Sequence, residues 1–194
     1  MKIKLSRSNR FTSPLKFTAA LCASILLASG AFAAPTPVSG AFGYQLGDAF
    51  DLDSTTITAR ERVPGTGLIL ATVTPPIPNQ IFSKYMLRVT RAGHRICTIY
   101  AAASPPGDAA WDLFNNLKEL LVAKYGPSTG RGWGLHASDL ILIFGAGDRT
   151  ISLACNPGSI VDRVTITYDD LTLEKRAGEK ATGKMLQSIN NNGL

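Results

Sequence analysis

The sequence predicts an α+β protein with a single antiparallel sheet of about six to seven strands, one long helix packed on a face of that sheet, and a C-terminal helix. Strand-like runs bounded by turn residues fill residues 57–101 and 140–168, and a helix-like stretch lies between them at 108–125. A charged, helix-permissive tail follows. The order β-β-β-β-α-β-β-β-α indicates one sheet with the long helix on its face.

An export signal precedes the predicted fold. Five basic residues and no acid accompany an apolar run at 17–27, and Ala31-Phe32-Ala33 has the small residues that signal peptidase recognises. We therefore expect a secretory signal peptide over residues 1–33, cleavage near Ala33 and a periplasmic mature protein, with release from the cell left open. A membrane-spanning helix needs about 20 apolar residues. No later stretch approaches that length, so the sequence predicts no transmembrane segment in the mature chain.

The charge of the mature chain is nearly balanced. The full sequence has 20 basic and 14 acidic residues, and five of the basic ones lie in the signal, which leaves 15 basic against 14 acidic. So small an excess gives no electrostatic reason to expect nucleic acid as a partner, and we predict none. The mature length of 161 residues fits one domain with a sizeable core.

The elements before the long helix are two pairs of strands. Residues 34–41 are small and uncharged and predict a flexible lead, so a single α+β domain is expected over 42–189. Glycine-containing turns separate the strands within each pair, at Pro64-Gly65-Thr66-Gly67 and at Ala92-Gly93-His94. The four predicted strands are 57–62, 68–74, 82–90 and 95–101.

The long helix is the clearest element of the sequence. Six apolar residues share one stripe at helical spacing over 108–125, and Gly126-Pro127 ends the pattern. The tail from 171 to 189 predicts a short helix with Asp169-Asp170 as its N-terminal cap, and residues 190–194 predict a disordered tail. Between the two helices, a meander of three strands is expected at 140–144, 150–155 and 161–168.

Two cysteines, Cys97 and Cys155, remain after removal of the signal. Exported proteins form disulfides in an oxidising compartment, so the sequence predicts a bond between these two thiols. Such a bond would close a loop of about 60 residues and stabilise the fold by roughly 4 kcal/mol on the chain-entropy model. The alternative is two free, buried thiols that behave as small apolar side chains.

Three sequence patterns together resemble those of a known group of proteins. They are Phe42-Gly43-x-x-Leu46-Gly47, Leu117-x-x-x-Leu121-x-x-Lys124-Tyr125-Gly126-Pro127 and Ile166-x-Tyr168-Asp169. The layout resembles small exported bacterial envelope proteins of unassigned function and, more distantly, the outer-membrane assembly lipoproteins of the small-protein-A type. The chain differs from those lipoproteins in having no lipobox and one more hairpin. The resemblance implies an α+β envelope protein and no particular chemistry.

No residue pattern in the chain indicates an enzyme. His94 and His136 lie far apart beside glycine-rich turns, without the spacing of a metal site. The acids Asp48, Asp51 and Asp53 lack the glycine and the closing glutamate of a calcium loop, so we expect solvated loop acids. A Gly-x-Ser-x-Gly motif is also absent. The sequence therefore predicts a non-enzymatic protein with no catalytic, cofactor-binding or metal-binding residues.

Candidate partner-binding residues fall in two places. A basic cluster near the second hairpin could meet an acidic partner or an anionic headgroup, and its alternative is a charged face that protects a sheet edge. A glycine-rich loop carries an aromatic side chain that could anchor a partner or cover the core. The candidates are Arg88, Arg91 and Arg95 in the cluster and Trp133 and His136 in the loop.

These features favour an exported periplasmic protein-interaction module of the cell envelope. It would bind another envelope protein through the sheet face or through the loop around Trp133. The alternative hypothesis is an inhibitor or immunity-type protein, whose loop at 130–136 would enter the cleft of a hydrolase or toxin.

Overall fold

An antiparallel sheet of eight strands organises the part of the chain that the computed structural model describes, residues 36–133 and 139–191. The side chains of Trp133, Met185, Leu186 and 188–191 are outside that description. So are the predicted signal peptide at 1–33, His136 and residues 192–194. The elements are β1 (Gly40–Ala41), β2 (Tyr44–Gln45), β3 (Ile57–Val63), β4 (Leu68–Val73), β5 (Lys84–Thr90), β6 (Ile96–Ala103), α1 (Ala109–Tyr125), β7 (Gly130–Trp133), β8 (Leu140–Phe144), β9 (Arg149–Cys155), β10 (Val164–Asp170) and α2 (Leu171–Asn191).

The main sheet has the strand order β3-β4-β5-β6-β10-β9-β8-β7, and all its neighbours pair antiparallel. This confirms the α+β class and the antiparallel pairing. It corrects the predicted single sheet of six to seven strands, because β1 and β2 form a separate two-stranded sheet and β7 adds an eighth strand to the main one.

Strand β7 comes from the segment that the sequence predicts as a glycine-rich loop. Glycine disfavours strands because it adds no side chain to the packing. Here Gly130 and Gly132 pair with Ile143 and Ile141 of β8, and a Cβ at Gly130 would lie 3.4 Å from the Ile143 side chain. The isoleucines pack over the glycines, and this tertiary contact outweighs the local preference.

Helix α1 covers β9 and β10 and agrees closely with the helix predicted at 108–125. It ends where Gly126 adopts a φ of 83° and donates its N–H to the carbonyl of Val122 at 2.9 Å. Its inward stripe joins the main core on one face of the sheet. The buried residues of that stripe are Ala110, Phe114, Leu117, Leu121 and Tyr125.

Helix α2 lies on the opposite face of the sheet, over β4, β5 and β6. It closes a small second cluster of Leu68, Cys97 and Ala177, with Leu173 packed at its margin. The helix runs to Asn191, so it is longer than predicted and includes residues 190–191 of the expected disordered tail. Neither helix of the described chain combines the length and apolar character needed to cross a membrane.

The two thiols lie on opposite faces of the sheet, which corrects the predicted disulfide. A bulge in the pairing of β5 with β6 turns Cys97 toward α2, whereas Cys155 lies in the main core. Val164 of β10 pairs with Cys155 of β9 on one side and with Ala103 of β6 on the other, so Cys155 lies level with Ala103. Cys97 lies six residues before Ala103 on β6. That offset is about 20 Å. A disulfide needs Cα atoms within about 7 Å, and both thiols are free and buried.

Residues before 42, where the predicted domain starts, take part in the fold. Val38 is buried in the main core, and Gly40–Ala41 pairs with β2. The turn between β1 and β2 uses Phe42 at a φ of 57° and Gly43 at 85°. Within the predicted flexible lead, Val38 is therefore packed in the core, and the backbone of 39–41 is hydrogen-bonded to β2 or the residue after it.

Candidate functional site: a basic groove

A groove of about 350 Å³ runs between α2 and the turn that joins β5 to β6. Five cationic side chains line it, and no acid does so among the described residues. We call this feature the basic groove. Its cations are Arg91, Arg95, Arg176, Lys180 and Lys184.

Hydrogen bonds hold the turn that carries the first two cations. The hydroxyl of Thr90 accepts from the backbone N–H of Arg95 at 3.0 Å and donates to the carbonyl of Ala92 at 3.1 Å. Gly93 and His94 adopt φ values of 86° and 47°, which tighten the turn. The N–H of Arg91 bonds the carbonyl of Gly67 at 2.9 Å. The backbone of this wall is fixed, while both arginine side chains remain exposed.

Polar contacts fix the start of the other wall, α2. Asp170 accepts from the backbone N–H of Leu173 at 3.0 Å, as the predicted cap should, and pairs with Arg149 at 3.0 Å. Glu174 pairs with Arg88 of β5 at 2.8 Å. Asp169, predicted as part of the cap, accepts instead from the Thr98 hydroxyl at 2.9 Å.

The spacing of the remaining three cations puts them on one stripe of α2. Arg176, Lys180 and Lys184 are four residues apart, and residues at this spacing share a helix face. Each step is about 6 Å along the axis. The groove's lining beside the stripe includes the small residues Ala177 and Ala181.

Gly67 lets α2 approach the sheet closely at this point. Its φ is +69°, and a Cβ there would lie 2.4 Å from the carbonyl oxygen of Ala177. A substitution at Gly67 must therefore displace either the turn or the helix.

The charges of the basic groove are not neutralised from within. Among the residues that the structure describes, none of the five groove cations forms an ion pair with an acid. Other surface cations do, including Lys84 with Asp162 at 2.8 Å. Arg95 donates to the carbonyl of Gly47 at 3.1 Å, which leaves its charge uncompensated. Like charges held in a cleft create a positive potential that an anionic ligand relieves.

A second cavity of about 710 Å³ continues the basic groove and shares Arg95 and Arg176 with it. Its own arginine, Arg149, is paired with Asp170, and Asp148 adds a further acid. The excess positive charge is thus concentrated in the basic groove rather than in its continuation.

The structure separates the candidate residues of the sequence analysis. Arg91 and Arg95 line the basic groove, whereas Arg88 is engaged with Glu174 beside it. Trp133 lies in β7, with three strands between it and β6, so it belongs to no common site with the arginines. His136 is outside the described residues, and His94 lies in the turn, as expected.

The alternative of edge protection does not fit the cluster. Strands β5 and β6 are interior strands, and the charged edge strand is β3, which carries Arg60, Glu61 and Arg62. The cations that the sequence analysis missed are Arg176, Lys180 and Lys184. The four-residue spacing of these cations was a usable signal for a charged helix face. The sequence did not show that this helix would lie beside the turn between β5 and β6.

The other candidate chemistries keep ordinary structural roles. Asp53 pairs with Arg60 at 3.3 Å, and Asp51 accepts from the backbone N–H of Asp53 at 2.9 Å. Within 36–133 and 139–191, no group of three or more histidine, cysteine or acidic residues could hold a metal ion. Burial raises the pKa of Cys97 to about 12 and that of Cys155 to about 11, which disfavours the reactive thiolate of either.

In comparisons with known proteins, no family model, no curated protein and no solved structure matches this chain.

Proposed function

We propose that this chain is an exported, non-enzymatic interaction module of the cell envelope, and that its basic groove binds an acidic segment of another envelope protein. The observation that carries the proposal is a set of five cations on two facing walls, none of which pairs with an acid of the described chain. Complementary charge of this kind selects partners and speeds their encounter. The export pattern at 1–33 supports the location.

The chemistry of the groove favours binding over catalysis. Its charged side chains are all arginine and lysine, and no histidine, cysteine or acid lines it among the described residues. General acid–base catalysis works best with a group that titrates near the working pH. A protein partner also suits the balanced charge of the mature chain better than nucleic acid does, because the positive charge is local.

We do not build on the alternative of an inhibitor with a protruding loop. That hypothesis depends on the segment at 130–136, and its first four residues pair with β8 as β7. We therefore base the proposed function on the basic groove alone.

Cross-linking in intact cells tests the proposal. A tagged full-length protein is cross-linked, and the captured proteins are identified by mass spectrometry. We expect one dominant envelope protein, and we expect its capture to be lost in the double variant Arg176→Glu/Lys180→Glu. The control is Lys124→Glu/Lys175→Glu, which changes the net charge equally at two exposed positions outside the groove.

Two results would reject the proposed function. One is capture that is unaffected by the groove variant, because the partner would then bind elsewhere. The other is equal loss in both double variants, which would indicate a response to net charge rather than to the groove. Circular dichroism of the purified variants shows whether each remains folded.

A further inference from the structure

We propose that the occupant of the basic groove is a run of about five consecutive acidic residues in an extended conformation, contacted by both walls at once. The inference rests on the proposed function, because it specifies the partner segment of the same site. It follows from the spacing of the cations of the groove and from their division between two walls.

The course of the groove suits a narrow occupant. A helix with its side chains is about 10 Å across. The basic groove is an open cleft of about 350 Å³ between α2 and the turn that joins β5 to β6. An extended chain is narrower, and it can continue into the neighbouring cavity of about 710 Å³ that shares Arg95 and Arg176.

The spacing along α2 matches an extended chain. Arg176 and Lys184 are eight residues apart on the helix, which is about 12 Å. Five residues of an extended strand span about 13 Å, and every second side chain points to the same side at intervals of roughly 6.6 Å. The first, third and fifth acids of such a run would therefore meet Arg176, Lys180 and Lys184 in turn.

The opposite wall accounts for the remaining two acids. In an extended strand, the second and fourth side chains point away from the first, third and fifth. They would face the turn between β5 and β6, where Arg91 and Arg95 stand without acidic partners among the described residues. Three cations on one wall and two on the other thus match five consecutive acids.

A small residue of the lining favours the same occupant. Ala181 is partly exposed between Lys180 and Lys184 and leaves room for a peptide backbone to lie close to α2. A helix with acids at four-residue intervals would present its charge to a single wall and leave Arg91 and Arg95 unmatched.

Three labelled peptides of equal charge test this arrangement by fluorescence polarisation with the purified mature protein. The first has five consecutive glutamates between glycine-serine flanks. The second has five glutamates at alternate positions, so that they face one wall only. The third has five glutamates at every fourth position of an alanine-rich helix. We expect the first to bind about tenfold more tightly than either of the others, a difference that a few partly exposed ion pairs can supply.

Single variants assign the walls. Arg91→Gln should remove most of the advantage of the consecutive peptide over the alternating one, because only the former uses the turn. Lys180→Gln should weaken both peptides. Lys175→Gln is the matched control on the same helix, outside the groove, and should change neither.

The outcomes separate this inference from the proposed function. Equal or tighter binding of the helical peptide, or an Arg91→Gln variant that affects all peptides alike, overturns the extended arrangement but keeps the groove as the site. Failure of all three peptides also overturns the inference. In that case the proposed function stands if partner capture in cells still depends on Arg176 and Lys180, and it falls if capture does not.

Discussion

The two helices occupy opposite faces of one sheet and are held there by different forces. Helix α1 buries five side chains in the main core, including Phe114 at 1% exposure. Of the α2 side chains that the structure describes, Ala177 is the one that is fully buried, and polar contacts at Asp170 and Glu174 anchor the helix. The contrast indicates that α1 maintains the fold, whereas α2 contributes little to the core and presents a charged stripe to the outside.

Truncation of the α1 core should have the largest effect. Phe114→Ala removes a fully buried ring that packs edge-to-face with Trp111 at 5.7 Å, and we expect a loss of about 3–5 kcal/mol in the free energy of unfolding. Leu173→Ala on α2, where the side chain is half-buried, should cost roughly half as much or less. Urea denaturation of both variants measures the difference. Equal losses would contradict the division of roles between the helices.

The free thiols provide a second comparison of the same two helices. Cys97 lies beneath α2, and the Sγ of Cys155 lies 3.9 Å from the carbonyl oxygen of Ala110 in α1. Because α2 has few buried apolar contacts, its local opening should require less free energy than global unfolding. We expect a thiol reagent to label Cys97 at least about 100-fold faster than Cys155 under native conditions, a ratio that corresponds to roughly 2.7 kcal/mol.

Mass spectrometry of the labelled single variants Cys97→Ser and Cys155→Ser assigns each rate to one thiol. If both thiols react only as fast as the protein unfolds, α2 is as firmly docked as α1. If neither Cys97 nor Cys155 takes up label even in denaturant, the result contradicts the free thiols of the structure.

Local sequence signals were sufficient for most of the elements, but not for β7, for the small β1-β2 sheet or for the arrangement of the elements. Helix α1 and the other strands were predictable because alternation, helical spacing and glycine turns act within short stretches of chain. The face of the sheet to which Cys97 points was not, because it depends on a bulge that shifts the register of β5 against β6. One wall of the basic groove was predictable from the sequence, because Arg91 and Arg95 lie in one turn. The other wall was not, because Arg176 comes near them only when α2 docks on the sheet.

The contact at Gly67 links the docking of α2 to the basic groove. Gly67→Ala would place a Cβ against the carbonyl of Ala177, and the position has a φ of +69°. Gly65→Ala is the matched control, since its φ is +74° and a Cβ there meets nothing within 4 Å. The control should cost about 1–2 kcal/mol from the left-handed backbone alone.

We expect Gly67→Ala to cost more than that control by about 1 kcal/mol or above, because the helix must also shift. It should further weaken the binding of acidic peptides, which Gly65→Ala should leave unchanged. Thermal denaturation and the polarisation assay measure the two effects. Equal behaviour of the two variants would show that the close approach does not constrain α2.

The smallest expected effect concerns the pH dependence of stability that Asp169, two residues before the start of α2, contributes. Burial raises the pKa of Asp169 above its ordinary value of 3.8, with Glu174 adding to the rise and the Thr98 hydroxyl and Arg88 opposing it. In the pH range between the unfolded and the raised folded pKa, the folded protein binds more protons than the unfolded chain, so stability falls as pH rises through that range. Asp169→Asn keeps the size of the side chain and removes the titration. Its stability should therefore decline less than that of the parent protein when the pH is raised from about 4 to 7, measured by urea denaturation at each pH. An unchanged pH dependence would mean that Asp169 is hydrated when α2 is docked. Helix α2 would then pack on the sheet less tightly than its contacts with Arg88 and Asp170 imply.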